Sequence, residues 1–227
     1  MNTDPLPDIV IEIFGEGSTD VGKTTQVPSI ADSGVVTILA RRLCGDSSQL
    51  RVRQKAYMFL QDKKRWQKVR GAKRNARING SAGCIFVLDS EGDQASIRAE
   101  LQTGRDSESP DYPMAIGVAH PCIEAWLLAD ASAIRRGLSL EQKPVVPENP
   151  ELLPAPHVDR KNNPKFALAG CHPNTRHPNL AEKSAIAEHL NLESAGSVCP
   201  SLFAFVSEIR NQIAPLFATT FGEIETQ

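Results

Sequence analysis

The chain has 227 residues, 41% of them apolar and 23% charged, with a formal net charge of −2. That apolar content excludes general disorder, and the length suits one large domain or a core with a helical extension. No apolar run reaches the roughly 18 residues a spanning helix needs, and the opening MNTDPLPDIV lacks the basic and apolar stretches of a secretory signal. Five cysteines (Cys44, Cys84, Cys122, Cys171 and Cys199) form no CxxC pair. The expectation is therefore a cytoplasmic chain with reduced thiols, Cys84 and Cys122 belonging to the core.

Asp8–Phe14 (DIVIEIF) alternates and is rich in β-branched residues, which predicts a strand. A glycine-rich turn from Gly15 to Asp20 follows it. Val35–Leu43 predicts a helix with a basic end, and Ala56–Leu60 a short strand. Lys63–Ile78 predicts a basic helix with one aromatic, Trp66. Cys84–Leu88 (CIFVL) is continuously apolar, the mark of a buried parallel strand. Gln94–Leu101 predicts a helix and Pro113–Ala119 a third apolar strand. Pro121–Arg136 reads as helical with a restart near Asp130. Gly137–Pro178 is rich in Pro and Asn and reads as irregular. Ala181–His189 and Ser201–Ile213 predict closing helices. Strands alternating with helices predict a mostly parallel sheet covered by helices, an α/β core over 1–136, with an irregular segment and C-terminal helices over 137–227.

Charge is unevenly spread. From Arg41 to Arg77 there are 13 Lys/Arg against Asp46 and Asp62, a net of about +11, so the remainder carries about −13. This asymmetry suits a basic face set apart from an acidic site. It equally suits a solvated basic helix.

The acids gather just past predicted strands, where α/β proteins place functional groups. Glu16 follows the first strand, and Asp89, Glu91 and Asp93 follow the central one in FVLDSEGD. Alternate acids in a turn can turn several oxygens into one cavity, and Mg²⁺ or Mn²⁺ takes such oxygens. A solvated acidic turn would have the same sequence. Glu124 is the lone charge in PCIEAWLLA. A carboxylate in such a helix needs a partner, a metal or a face toward water.

These strings resemble a known pattern. IFGEGSTD is similar to the opening of Toprim domains, and FVLDSEGD to their strand-plus-acids motif, usually Asp-x-Asp-x-Asp. AHPCIEAWLLAD, the later Asn163-Pro164-Lys165 and CPSLFAFV (199–206) resemble landmarks of a bacterial Toprim-like family of uncharacterised proteins. That family is related in pattern to the nuclease portion of the overcoming-lysogenisation-defect proteins. The resemblance implies a Toprim-like fold and a metal-dependent nuclease, or a related phosphodiester-handling protein, using Mg²⁺ or Mn²⁺. It implies Glu16 as the proton-handling or ligating residue, Asp89, Glu91 and Asp93 as ligands, and Glu124 as completing the site. Glu91 departs from the usual aspartate. Lys63, Lys64, Lys68 and Lys73 would grip a nucleic-acid backbone, and a partner ATPase, as in a phage-defence-type complex, is implied by resemblance alone.

Two further readings stay open. One is a non-catalytic Toprim-like binding or regulatory subunit. The other is a P-loop nucleotide hydrolase, because Gly17–Thr24 (GSTDVGKT) matches GxxxxGK[ST]. Pro28 and Gly34 break the helix such a loop opens. Cys171, His172 and His177 form CHxxxxH but lack a fourth ligand at zinc spacing.

Overall fold

A computed structural model describes residues 9–15, 17, 21–22, 32–44, 51–56 and 64–217, with the backbone alone for 51–56. Four strands form one sheet in the order β2-β1-β3-β4: β1 is Val10–Gly15, β2 Arg51–Ala56, β3 Gly83–Asp89 and β4 Met114–Ala119. All three pairings are parallel. The chain therefore returns by a crossover between successive strands, and helices cover both faces.

Side-chain alternation sorts the strands into two cores. Phe14, Cys84, Phe86, Leu88, Met114, Ile116 and Val118 face α2 (Arg65–Ile78) and α3 (Gln94–Asp106), which contribute Val69, Ala72, Ala76, Ile97 and Leu101. Ile11, Ile13, Ile85, Val87 and Ala115 face the other way. There they meet Val36 and Leu39 of α1 (Val35–Cys44), Trp126 of α4 (Ile123–Leu128) and Phe205 and Ile209 of α9 (Pro200–Gln212). The C-terminal helices thus share a core with the sheet.

Local capping sets the helix boundaries. Asp130 breaks the predicted Pro121–Arg136 helix, its Oδ1 accepting from Ser132 N and Ala133 N to start α5 (Ala131–Gly137). Asn179 and Glu182 form a reciprocal capping box at the head of α7 (Leu180–His189). At its tail, Arg42 donates to Ala187 O and Leu190 O, both at 2.7 Å, and Arg136 to His189 O at 2.9 Å. Two cations thereby satisfy carbonyls that a helix end leaves without partners.

Three expectations change. The second strand is RVRQKA (51–56), upstream of the apolar Ala56–Leu60 window, whose residues 57–60 lie outside the described residues. It sits at the sheet edge, where charged side chains are tolerated. The stretch 137–178 holds a short 3₁₀ turn, Pro150–Leu152, and helix α6 (Pro164–Cys171), started by Pro164 and capped by Asn163. Helix α8 (Leu192–Val198) was not anticipated; Asn191 caps it. All five cysteines are buried and unpaired. No described helix is long and apolar enough to cross a membrane.

Gly117 in β4 allows α9 to approach closely. A Cβ there would lie 2.7 Å from Phe205 Cδ2 and 3.1 Å from Val87 Cγ2. The Phe205 ring is stacked on Trp126 at 5.1 Å and cannot simply swing aside. Gly117→Ala should therefore destabilise by about 1–3 kcal/mol in denaturant unfolding, and Phe205→Leu in the same chain should relieve part of that loss. Additive losses would show that the two positions do not press on each other.

Candidate metal centre

In the order β2-β1-β3-β4 the connections reverse direction between β1 and β3. Open parallel sheets bind ligands beyond the carboxyl ends of the strands at that reversal. Asp89 is the last residue of β3 and sits at this edge. Its Oδ1 accepts from Ile123 N at 3.0 Å, the first residue of α4. The strand thus fixes the aspartate backbone while the helix start fixes its carboxylate.

Helix α4 brings two more groups. Asp89, Cys122 and Glu124 each offer a donor atom, and these atoms lie within 4.8 Å of one another. Such a buried Asp/Cys/Glu group could hold a metal ion. Glu124 is 4% exposed. Its Oε1 accepts from Lys183 Nζ at 2.7 Å, while Oε2 is buried with no hydrogen-bond partner among the described residues. Burial works to raise the Glu124 carboxyl. The Lys183 ammonium, helped by Lys165 and the Cys122 thiol, outweighs burial and holds the group below the ordinary carboxylate value. The Cys122 thiol is pushed the other way, first by burial and then by the Glu124 and Asp89 charges. It is neutral without a cation.

Glu91 and Asp93, expected to converge with Asp89, are not among the three grouped residues. Period-two logic applies to strands, and here the strand stops at Asp89. Glu91 takes a left-handed turn conformation with φ 48° and is exposed. Asp93 is the N-cap of α3, its Oδ1 accepting from Ser96 N at 3.2 Å. Glu16 lies outside the described residues.

The lysines divide as well. Lys64 precedes α2 and is exposed, and Lys68 lies one turn on, half-buried. Lys73 is 2% exposed and donates to Arg105 O at 3.0 Å, at the tail of α3. The expectation that it faces nucleic acid with the others is corrected: helix periodicity turns it inward, between α2 and α3. Lys63 lies outside the described residues.

Of GSTDVGKT only Gly17, Val21 and Gly22 are described, and Lys23 lies outside them. Val21 is fully buried and its carbonyl accepts from Thr37 Oγ1 at 2.7 Å. His172 has both ring nitrogens engaged, with Glu182 Oε1 at 3.2 Å and Asn174 N at 3.1 Å, which suits a structural loop. A buried network backs the centre: Trp126 Nε1 donates to Ser201 Oγ at 2.6 Å, and Ser201 donates to Glu151 Oε1 through Oγ at 2.6 Å and N at 2.9 Å.

Sequence reasoning missed Lys183 and Cys122. The signal for Lys183 was present: it shares a helix face with the buried Ile186 and Ala187, spaced three and four residues on. Comparison of the chain with protein-family models, with curated proteins and with solved structures finds no match in any of the three.

The ion pair predicts a double-mutant result. Glu124→Gln or Lys183→Met alone leaves one buried charge and should each cost about 3–5 kcal/mol. The double variant should recover most of this loss. Glu124 is lowered in the fold, so its pair stabilises above the ordinary value of 4.5 and is lost as acid takes the pH below it. Equal acid sensitivity in wild type and Glu124→Gln would show that another group titrates.

Proposed function

We propose that the protein is a Toprim-like, divalent-metal-dependent phosphodiesterase acting on nucleic acid. One observation carries this reading: the Glu124 Oε2 atom is buried beside Asp89 with no well-formed hydrogen bond among the described residues, the weak donor Cys122 being its carboxylate's other neighbour, at the carboxyl edge where parallel sheets hold ligands. An orphaned buried carboxylate oxygen is costly unless a cation or a donor reaches it.

The donors suit the ion. Asp89 and Glu124 offer hard oxygens that Mg²⁺ and Mn²⁺ accept, and the neighbouring Cys122 sulfur makes Mn²⁺ the better match of the two. When bound, the metal would polarise a phosphoryl oxygen and lower the pKa of an attacking water. The chain's own residues do the rest. Ile123 N–H orients Asp89, and Lys183 orients Glu124 and prevents its protonation. Lys165, which acts electrostatically on Glu124 and Cys122, sets a positive charge at the site that suits a phosphate oxygen. Glu16, by resemblance, handles the proton.

Nucleic acid would run along the head of α2. In a parallel βαβ unit the helix after a strand starts near that strand's carboxyl end. This puts Lys64 and Lys68 toward the pole of the sheet that holds Asp89. A partner ATPase remains part of the proposal through the resemblance alone.

Two measurements test the reading. Asp89→Asn keeps the oxygen that Ile123 N–H needs but removes the charge. Incubated with plasmid, single-stranded DNA or RNA and Mn²⁺, wild type should cleave at least one substrate and EDTA should stop it. Asp89→Asn should lose more than the roughly 10–100-fold typical of groups outside the ligand sphere. Cleavage that persists in EDTA, or in Asp89→Asn, contradicts the metal role. In the second measurement, Lys64→Gln and Lys68→Gln should each lower the slope of log affinity against log salt by about one unit. An unchanged slope would make the head of α2 a solvated surface.

A further inference from the structure

We infer that the protein binds a small phosphate- or carboxylate-bearing molecule at the amino-terminal edge of the sheet, seated on the ammonium of Lys73. This site lies at the opposite pole from Asp89 and does not depend on the proposed cleavage reaction.

A cavity of about 260 Å³ opens there, lined by Lys73, Arg105, Asp106, Tyr112, Met114 and Gln212. At roughly 30 Å³ per water this is room for eight or nine waters, or one small organic acid. Met114 opens β4, Asp106 closes α3 and Gln212 closes α9, so one strand begins and two helices end around one opening.

Lys73 is the unusual member. It is 98% buried, yet among the described residues no carboxylate forms an ion pair with it. Its one hydrogen bond runs to Arg105 O at 3.0 Å, and an ammonium has three N–H donors. The neighbouring acids are engaged elsewhere. Asp106 accepts from Arg105 Nε at 2.9 Å, and Glu108 sits between Arg74 and Arg77 at 3.7 and 3.8 Å. Arg105 is itself matched by Glu208 at 3.1 Å. Asp106 and Glu108 act on Lys73 only from a distance, so no acid among the described residues contacts its ammonium. A buried cation without a counter-ion is costly, and an anion in the cavity would offset that cost. Asp106 at the rim accepts from Arg105 Nε, which draws its carboxylate toward that guanidinium.

The helix cap that Lys73 supplies to α3 explains one of its bonds and its depth. It does not explain why Lys73 also lines a cavity. Gln212 is exposed at the mouth and offers an amide donor.

Calorimetric titration of the full chain, in metal-depleted buffer at fixed ionic strength, tests the site with inorganic phosphate in one arm and succinate in the other. Wild type should bind at least one of them. Phosphate alone would assign a phosphate ester as the ligand class, and succinate alone a carboxylic acid. Lys73→Met keeps the stem's bulk and should weaken binding at least tenfold. Gln212→Glu, at an exposed position that leaves the fold intact, should weaken it several-fold by placing a negative charge at the mouth. It decides the matter even if Lys73→Met fails to fold. No binding of either anion to wild type, or affinity unchanged in Gln212→Glu, overturns the inference.

Discussion

The buried contact between Glu124 and Lys183 is the constraint around which the carboxyl edge of the sheet is built. Both side chains are more than nine-tenths buried, and they are 59 residues apart in sequence. Neither can be tolerated in an apolar interior alone, because each isolated charge would cost several kcal/mol. The pair therefore obliges α7 to lie against α4, and α4 to begin beside Asp89. Replacing such a pair by apolar groups is often neutral for stability. Its retention here makes sense if the ionised carboxylate is itself required, and the partnerless Oε2 is the part of that carboxylate the ion pair leaves over.

The parallel sheet then separates two chemistries by direction. At its carboxyl edge stand Asp89, Cys122 and Glu124 with Lys183 behind them. At its amino edge stand Lys73, Arg105 and Tyr112 around a cavity. Helix α2 spans the two: about nine residues separate Lys64 from Lys73, roughly 13 Å of helix at 1.5 Å per residue. A run of cations that looks uniform in sequence thus serves different ends of the molecule, and helix phase decides which of them meet solvent.

Much of the fold was legible because it rests on period and length. Asp8–Phe14, Cys84–Leu88 and Pro113–Ala119 each lie within two residues of the strands observed, the first legible from alternation and β-branching and the other two because buried parallel strands are continuously apolar. The restart at Asp130 was legible because an aspartate is a strong N-cap. The edge strand was misplaced because its RVRQKA sequence carries no apolar signal. Helices α6 and α8 were missed because each is short and held by capping and packing rather than by an amphipathic stripe. At the site, Glu124 announced its need for a partner by standing alone among apolar residues. What sequence could not reveal was which of the three answers held. Lys183 lies far away in the chain, and only tertiary packing brings it near. Asp89 was identified correctly as sitting at a strand end, but its neighbours in space are two residues of α4 and its cap rather than the next two acids in the chain.

The central claim is that Asp89 and Glu124 form the seat of a divalent cation. Crystals of the protein soaked in Mn²⁺ and measured for anomalous scattering test this most directly. The account predicts a peak within coordination distance, roughly 2 Å, of a carboxylate oxygen from each of the two residues, with Glu124 Oε2 the oxygen used. A peak held instead by Glu91 and Asp93, or a clean map at Glu124 in crystals that show manganese elsewhere, would contradict it.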